Sequence, residues 1–250
     1  MFKMASQITR PARSLLLHEW LRRCDESHGC NKKFSETKAF LPTRLLYVGD
    51  RNNVDFLRLD LTTGIDGAKY IALSHRWGAP DDEKKNFCTT KDNIDQRLNG
   101  FNMSDLPKTF QDAITVTREL HVPYLWIDSL CIIQWDQKDW GPEAMRMESV
   151  FSSAYCVIAA TSATDMKDGF LDRHISTEYL YVQNTRGQRF YICTGNNDFE
   201  VDVDRAELNT RAWVMQERVL ARRTIHFSAN QMYWECGQGV YCENLTMMKG

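Results

Sequence analysis

The chain has 250 residues, of which 43% are apolar, enough for a sizeable core in one large domain or two small ones. Its 31 basic and 33 acidic residues give a formal net charge of −2, which argues against binding to nucleic acid or to an anionic membrane. The apolar run at residues 15–17 is too short for a signal peptide or a membrane span, so we expect a cytoplasmic protein.

Hydrophobic periodicity predicts a series of elements that alternate between strands and helices. In chain order, these are a helix at 13–23, an extended pair at 41–48 and 55–61, a strand at 70–74, a helix at 107–120, a strand at 122–128, a helix at 139–154 capped by Asp139, a strand at 155–161, a hairpin at 179–183 and 189–193, a helix from a Thr210 cap to about residue 221, and a strand pair at 223–228 and 231–236. The alternation in the centre predicts parallel strands with crossover helices. No Gly-, Pro- or Ser-rich linker interrupts the chain, so we expect residues 1–69 to extend a main domain at 70–250 and to pack with it as one unit.

Glu217 is predicted to lie on the apolar face of the last helix. A turn of about 100° per residue places it on one arc with Trp213, Val214, Leu220 and Ala221. A carboxylate at such a position needs a partner, a raised pKa or a ligand. It either accepts a hydrogen bond from a buried donor or a distant arginine, or it belongs to a functional site.

Polar side chains directly follow the three central strands, at the edge of the sheet where open parallel sheets bind ligands. They are Ser74, His75, Arg76 and Trp77 after the first strand, Asp128 and Ser129 after the second, and Thr161 and Ser162 after the third. Such a set suits a ligand with phosphate and ribose groups. Structural roles are the alternative, with Asp128 as a cap, Ser74 bonded to its own backbone and Arg76 paired with Asp128.

Several catalytic motifs are absent from the sequence. No GxxxxGK[ST] loop and no GxGxxG turn after a strand occurs, which disfavours ATP hydrolysis and dehydrogenase chemistry. A GxSxG elbow is also missing.

Cys24, His28 and Cys30 form a C-x3-H-x-C pattern with three potential zinc ligands. A fourth ligand would have to come from far along the chain, for instance Cys236 or Cys242. We expect no metal, and zinc at Cys24, His28 and Cys30 is the weaker alternative to a locally packed cluster of reduced thiols.

Four segments, in this order, resemble the motifs of the fungal HET (heterokaryon incompatibility) domain. They are YIALSHRWG at 70–78, LPKTFQDAI at 106–114, YLWIDSLCIIQ at 124–134 and RAWVMQE at 211–217. His75 stands where this family often has tyrosine. The upstream Trp20 and Leu21, together with Cys24, His28 and Cys30, also resemble the usual lead-in to the domain.

The HET domain is more remotely similar to the Toll/interleukin-1 receptor (TIR) domain, and this implies a flavodoxin-like parallel sheet flanked by helices. The β-hairpin insertion and the extra N- and C-terminal strands depart from that plan. Several TIR domains cleave NAD with a glutamate in a W-x-x-x-E motif, which Trp213 and Glu217 match. The resemblance further implies that residues 129–139 form a loop used in assembly.

The resemblance implies a cell-death effector of fungal non-self recognition that hydrolyses NAD to nicotinamide and ADP-ribose when assembled into a homo-oligomer. Glu217 would be the catalytic carboxylate, and Trp213 would pack against the site or stack on a ring. Arg76 would contact the diphosphate, while Asp128 or Ser74 would bind ribose hydroxyls beside His75, Trp77 and Ser129. The alternatives are an adapter module that acts through self-association alone and a zinc-supported binding domain.

Overall fold

The computed structural model describes residues 9–30, 40–49, 53–79, 85–173, 179–183, 189–193, 198–210, 212–243, 245 and 247–248. At 179–183, 189–193, 212 and 213 it describes the backbone alone. The fold within these ranges is a mixed α/β structure, with one large sheet flanked by helices.

Seven α-helices lie in the described part of the chain. They are α1 (Arg10–Arg23), α2 (Ile94–Asn99), α3 (Lys108–Glu119), α4 (Asp128–Cys131), α5 (Gln137–Met145), α6 (Met147–Ser153) and α7 (Ala212–Leu220). Short π-helical segments occupy Cys24–His28 and Glu200–Asp204, and 3-10 turns occupy Met103–Asp105 and Glu207–Thr210. None of the described helices combines the length and the apolarity needed to cross a bilayer.

Twelve strands lie in the same ranges. They are β1 (Arg44–Tyr47), β2 (Phe56–Leu61), β3 (Tyr70–Ser74), β4 (Phe101–Asn102), β5 (Tyr124–Trp126), β6 (Cys156–Ala159), β7 (Tyr179–Gln183), β8 (Arg189–Cys193), β9 (Arg223–Phe227), β10 (Met232–Cys236), β11 (Gly239–Cys242) and β12 (Met247–Met248). Ten of them form one sheet in the order β12-β11-β10-β9-β6-β3-β5-β1-β2-β4. The predicted hairpin of β7 and β8 is present as a separate two-stranded sheet.

The centre of the large sheet is parallel, as predicted, and consists of β9, β6, β3 and β5. Every residue of β3 and β6 is buried, which matches strands that are covered on both faces and whose sequences are almost continuously apolar. Burying one large aliphatic side chain of this kind stabilises the fold by about 1.5–3 kcal/mol.

Antiparallel strands extend the sheet at both edges. On one side β1 pairs with β5 and with β2, so the segment before residue 70 contributes strands to the same sheet. On the other side β9 pairs with β10, and β10 pairs with β11. The expectation of a parallel sheet therefore holds for the central strands alone.

The predicted helix at 139–154 is divided into α5 and α6. Arg146 has φ −96° and ψ −2°, outside regular helical values, and separates the two helices. The predicted cap at Asp139 is wrong, because α5 begins earlier and the Asp136 side chain accepts a hydrogen bond from the backbone N–H of Lys138. The Asp139 carboxylate instead pairs with Arg44 and accepts the Ile133 N–H at 2.8 Å.

Candidate functional site

A cavity of about 190 Å³ opens at the carboxyl ends of β3 and β5, the position at which open parallel sheets bind ligands. Apolar and aromatic side chains form most of its wall, and two carboxylates, one histidine and two glutamines supply its polar groups. The lining residues are Leu73, His75, Trp77, Trp126, Asp128, Ile132, Gln134, Trp140, Ala144, Met147, Phe151, Gln216, Glu217 and Leu220.

Glu217 faces this cavity from α7. Its carboxylate accepts a hydrogen bond from the Ser74 hydroxyl, with 2.6 Å between Oγ and Oε2. Ser74 is buried at the last position of β3, whereas Glu217 is half-buried. The Ser74 hydroxyl therefore bonds to Glu217 and not to its own backbone, as the alternative had it. This bond joins the end of β3 to α7.

Asp128 lies on the same cavity at the start of α4. Its Oδ2 accepts the indole N–H of Trp77 at 2.9 Å, and its Oδ1 accepts the backbone N–H of Ser129 at 2.6 Å. His75 is buried, with its ring edge-on to Phe110 and its Nε2 3.9 Å from Asp128 Oδ1. The two strand ends are thus connected through Asp128. The predicted cap at Asp128 is wrong, because Asp128 is the first residue of α4 and the N-cap position belongs to Ile127.

Two further predicted site residues, Arg76 and Ser129, do not line the cavity. Arg76 forms an ion pair with Glu207 in the 3-10 turn before α7, so the alternative pairing of Arg76 with Asp128 is wrong. Ser129 is fully buried, and its carbonyl accepts the N–H of Thr89 at 2.9 Å. The backbone of Trp213 belongs to α7, but its side chain lies outside the described residues.

An ion-pair network on another side of α7 fixes the helix. Arg218 donates to Glu235 Oε2 at 2.8 Å and to Asp204 Oδ1 at 2.6 Å. Burial alone would lower the pKa of Arg218, but the hydrogen bonds that it donates to Glu235 and Asp204 raise its pKa above the ordinary value. Burial likewise opposes ionisation of Glu235, and its bonds to His226 and Arg218 lower its pKa to about 2. These ion pairs hold the part of α7 that carries Glu217, the residue before Arg218.

Ten of the fourteen lining residues were not predicted as site residues from the sequence. Among them are Gln134, Trp140, Met147, Phe151 and Gln216. Gln134 bonds back to the carbonyl oxygens of Asp128 and Ile132 at 3.1 Å, which ties part of the predicted assembly loop to the site. Phe151 packs edge-on against Trp126, with 5.7 Å between the ring centroids. Of these lining residues, Met147 and Phe151 lie on α6, which begins after the break at Arg146 that the sequence did not predict.

A second group of polar side chains lies elsewhere, where the end of α1 meets the β10–β11 turn. The ligand atoms of Cys24, His28, Cys30 and Cys236 all lie within 4.8 Å of one another. The thiol of Cys24 hydrogen-bonds to Cys236, which raises the pKa of Cys24 and lowers that of Cys236. Of the two distant cysteines named as possible fourth ligands, Cys236 is the one that joins the group.

The sheet and its cavity define an α/β protein with an acidic residue, Glu217, at a cavity of about 190 Å³ beyond parallel strands. The family model of the heterokaryon incompatibility protein (HET) matches residues 70–217, so the chain belongs to the HET family. This membership links the chain with heterokaryon incompatibility. No curated protein and no solved structure matches the chain.

Proposed function

We propose that the chain is a cell-death effector of fungal non-self recognition and that its cavity hydrolyses NAD at the bond between nicotinamide and ribose. The observation that carries this proposal is the carboxylate of Glu217, bonded to Ser74, at a cavity with aromatic walls. Membership of the HET family supplies the biological setting.

The order of the parallel strands supports a resemblance to the TIR plan. Numbered by their place in the chain, β3, β5, β6 and β9 lie in the order 2-1-3-4, which is the order at the start of a flavodoxin-like sheet. Such sheets bind ligands at the switch point beside the first strand. The switch point lies between β3 and β6, the first and third of these four strands. The cavity lies beside it, beyond the ends of β3 and β5.

The reaction requires stabilisation of positive charge on the ribose. The bond between C1′ and the ring nitrogen breaks, its electron pair leaves with neutral nicotinamide, and the oxygen of a water molecule bonds to C1′ with release of one proton. An oxocarbenium-like transition state of this kind is stabilised by a nearby carboxylate in a site of low dielectric constant. Glu217 has this role, and Ser74 holds its carboxylate in place.

The size of the cavity limits how much of the substrate it encloses. At about 190 Å³ it is smaller than the roughly 300–1,000 Å³ of pockets that enclose a drug-sized ligand. It suits the nicotinamide and its ribose between the aromatic walls, with the diphosphate outside. Arg76 would then exchange Glu207 for the diphosphate, and Asp128 would accept a ribose hydroxyl.

The test is release of nicotinamide from NAD by the pure chain, measured over a range of protein concentrations. We expect turnover by the wild type, with a rise above a threshold concentration if assembly activates the site. Glu217→Gln should remove turnover while leaving the thermal transition in place. Glu148→Gln, the same change at an exposed residue of α6, should leave turnover unchanged.

Two results would contradict the proposal. Undiminished turnover by Glu217→Gln would reject the site, and no nicotinamide at any concentration of the wild type would reject the reaction. The second result would favour the adapter module that acts through self-association.

One observation supports this alternative. Trp135, Trp140 and Met145 expose 62%, 47% and 82% of their surface along one short segment, a feature common at surfaces that associate.

A further inference from the structure

We propose that the chain binds one structural zinc ion through Cys24, His28, Cys30 and Cys236. Three thiol sulfurs and one imidazole nitrogen are a common ligand set of closed zinc sites. Soft thiolate ligands with an imidazole select zinc over magnesium or calcium, which prefer oxygen. In this chain the four ligand atoms already lie within 4.8 Å of one another.

The local backbone explains how three ligands from one short segment converge. Helix α1 continues beyond Arg23 as a π-helical turn at Cys24–His28, which holds the first two ligands. Gly29 then has φ 64°, a left-handed conformation that favours glycine, and this reverses the chain so that Cys30 returns toward Cys24. The C-x3-H-x-C spacing, unlike that of a zinc finger, is therefore compatible with a single metal.

The fourth ligand comes from the other end of the domain. Cys236 ends β10, and its sulfur lies 3.4 Å from His28 Nδ1. Zinc bonds of about 2.3 Å to sulfur and 2.0–2.1 Å to nitrogen place such a pair about 3.5 Å apart at a tetrahedral ion. All ligand atoms lie within 4.8 Å of one another. The three S–S pairs, with a tetrahedral separation of about 3.8 Å, therefore need to contract by no more than about 1 Å, and the two other S–N pairs by no more than about 1.3 Å.

The surroundings favour a structural site over a catalytic one. Cys24 is fully buried, and Cys236 is 9% exposed. The His28 ring stacks on Tyr241, with 5.9 Å between centroids, which fixes the ring beside the sulfurs. Four protein ligands complete the tetrahedral shell and leave no open position for a substrate.

A zinc ion here would fasten the N-terminal helix to the sheet. Trp20 and Trp234 stack with 6.2 Å between centroids, one helical turn before Cys24 and two residues before Cys236. This contact brings α1 and β10 together. The metal would connect the same two segments again, at the residues that follow the two tryptophans along the chain. Because the ligands meet only in the folded chain, metal binding contributes to folding free energy.

The first test is metal analysis of the whole chain purified without chelator. We expect about one zinc per chain in the wild type and a loss of most of it in Cys236→Ser. Cys242→Ser is the matched control, since Cys242 is a buried cysteine of the adjoining strand β11 but does not belong to the group. It should keep the metal.

A second test needs no variant. Removing zinc from the wild type with a chelator should lower the Tm, and added zinc, but not magnesium, should restore it. With cobalt in place of zinc, the visible bands of tetrahedral thiolate coordination should appear. After denaturation in chelator, all eight cysteines should react with an alkylating agent.

Three results would overturn the proposal. The first is a wild type that contains no zinc and whose Tm does not change when zinc is added. The second is a Cys242→Ser variant that loses the metal while Cys236→Ser keeps it. The third is a count of six reactive thiols, which would mean a disulfide within the group.

Discussion

Asp128 connects the ends of the two strands that border the cavity. One carboxylate oxygen accepts the Trp77 indole N–H and the other accepts the Ser129 backbone N–H. The prediction from the sequence placed all three residues at the site, and the structure assigns them different tasks. Asp128 and Trp77 line the cavity, whereas Ser129 supports Asp128 from the buried side.

Trp77→Phe is expected to lower the free energy of unfolding by about 1.5–3 kcal/mol, the usual range for a hydrogen bond to a charged group. A smaller aromatic ring remains, but the N–H that donates to Asp128 Oδ2 is lost. Denaturant unfolding measures the change. Trp140→Phe, at a ring that lines the same cavity and is 47% exposed, should change stability by less than about 0.5 kcal/mol. Equal losses in the two variants would show that the indole bond is unimportant.

Helix α1 is held against α3 by a buried ion pair. Arg13 donates to both oxygens of Glu119 at 2.8 and 3.0 Å, and the two side chains are 9% and 4% exposed. Arg10 and His18 add bonds to the same residue. These contacts place the start of α1, while the tryptophan stack and the cysteine group place its end.

Arg13→Met is expected to destabilise the fold by about 3–5 kcal/mol, because it leaves the Glu119 carboxylate buried without its main partner. The double variant Arg13→Met/Glu119→Leu should recover part of this loss, since no unpaired charge remains. Arg22→Ala, in an exposed pair with Glu19, should cost less than about 1 kcal/mol. Thermal unfolding of the wild type and the three variants measures these differences in stability. A double variant less stable than Arg13→Met would show that the unpaired charge is not the cause of the loss.

Short-range patterns explain which elements could be predicted. Strand β3 was predicted with its observed bounds and α3 within one residue at each end, because apolar periodicity is a local property. The bond between Ser74 and Glu217 spans 143 positions, so no spacing in the sequence reveals it. The break at Arg146 was also missed, and Met147, which follows it, lines the cavity.

At the scale of the whole molecule, the sheet extends beyond the segment that defines the family. The HET match ends at residue 217, whereas β9 begins at Arg223 and pairs with β6 in the parallel centre. Ile225 and Phe227 are buried in the main core, and the Phe227 ring contacts Phe170 with 4.7 Å between centroids. The region matched by the family model is therefore only part of the described sheet and its core.

A fragment of residues 70–217 is expected not to fold by itself, because β6 would keep an unpaired apolar edge and β5 would lose β1. Circular dichroism during heating and size-exclusion chromatography would show this as the lack of a cooperative transition and as aggregation. The full chain should give one cooperative transition under the same conditions. A monomeric fragment with a sharp transition would contradict the prediction.

The position of β9 in the middle of the sheet has a consequence for how the chain is made. Strand β6 is synthesised well before its partner, and the intervening residues include a separate hairpin. At about 5–20 residues per second on the ribosome, the apolar edge of β6 waits on the order of several seconds for β9. During that interval the nascent chain exposes a template for pairing with other chains, so we expect chaperones to engage it there.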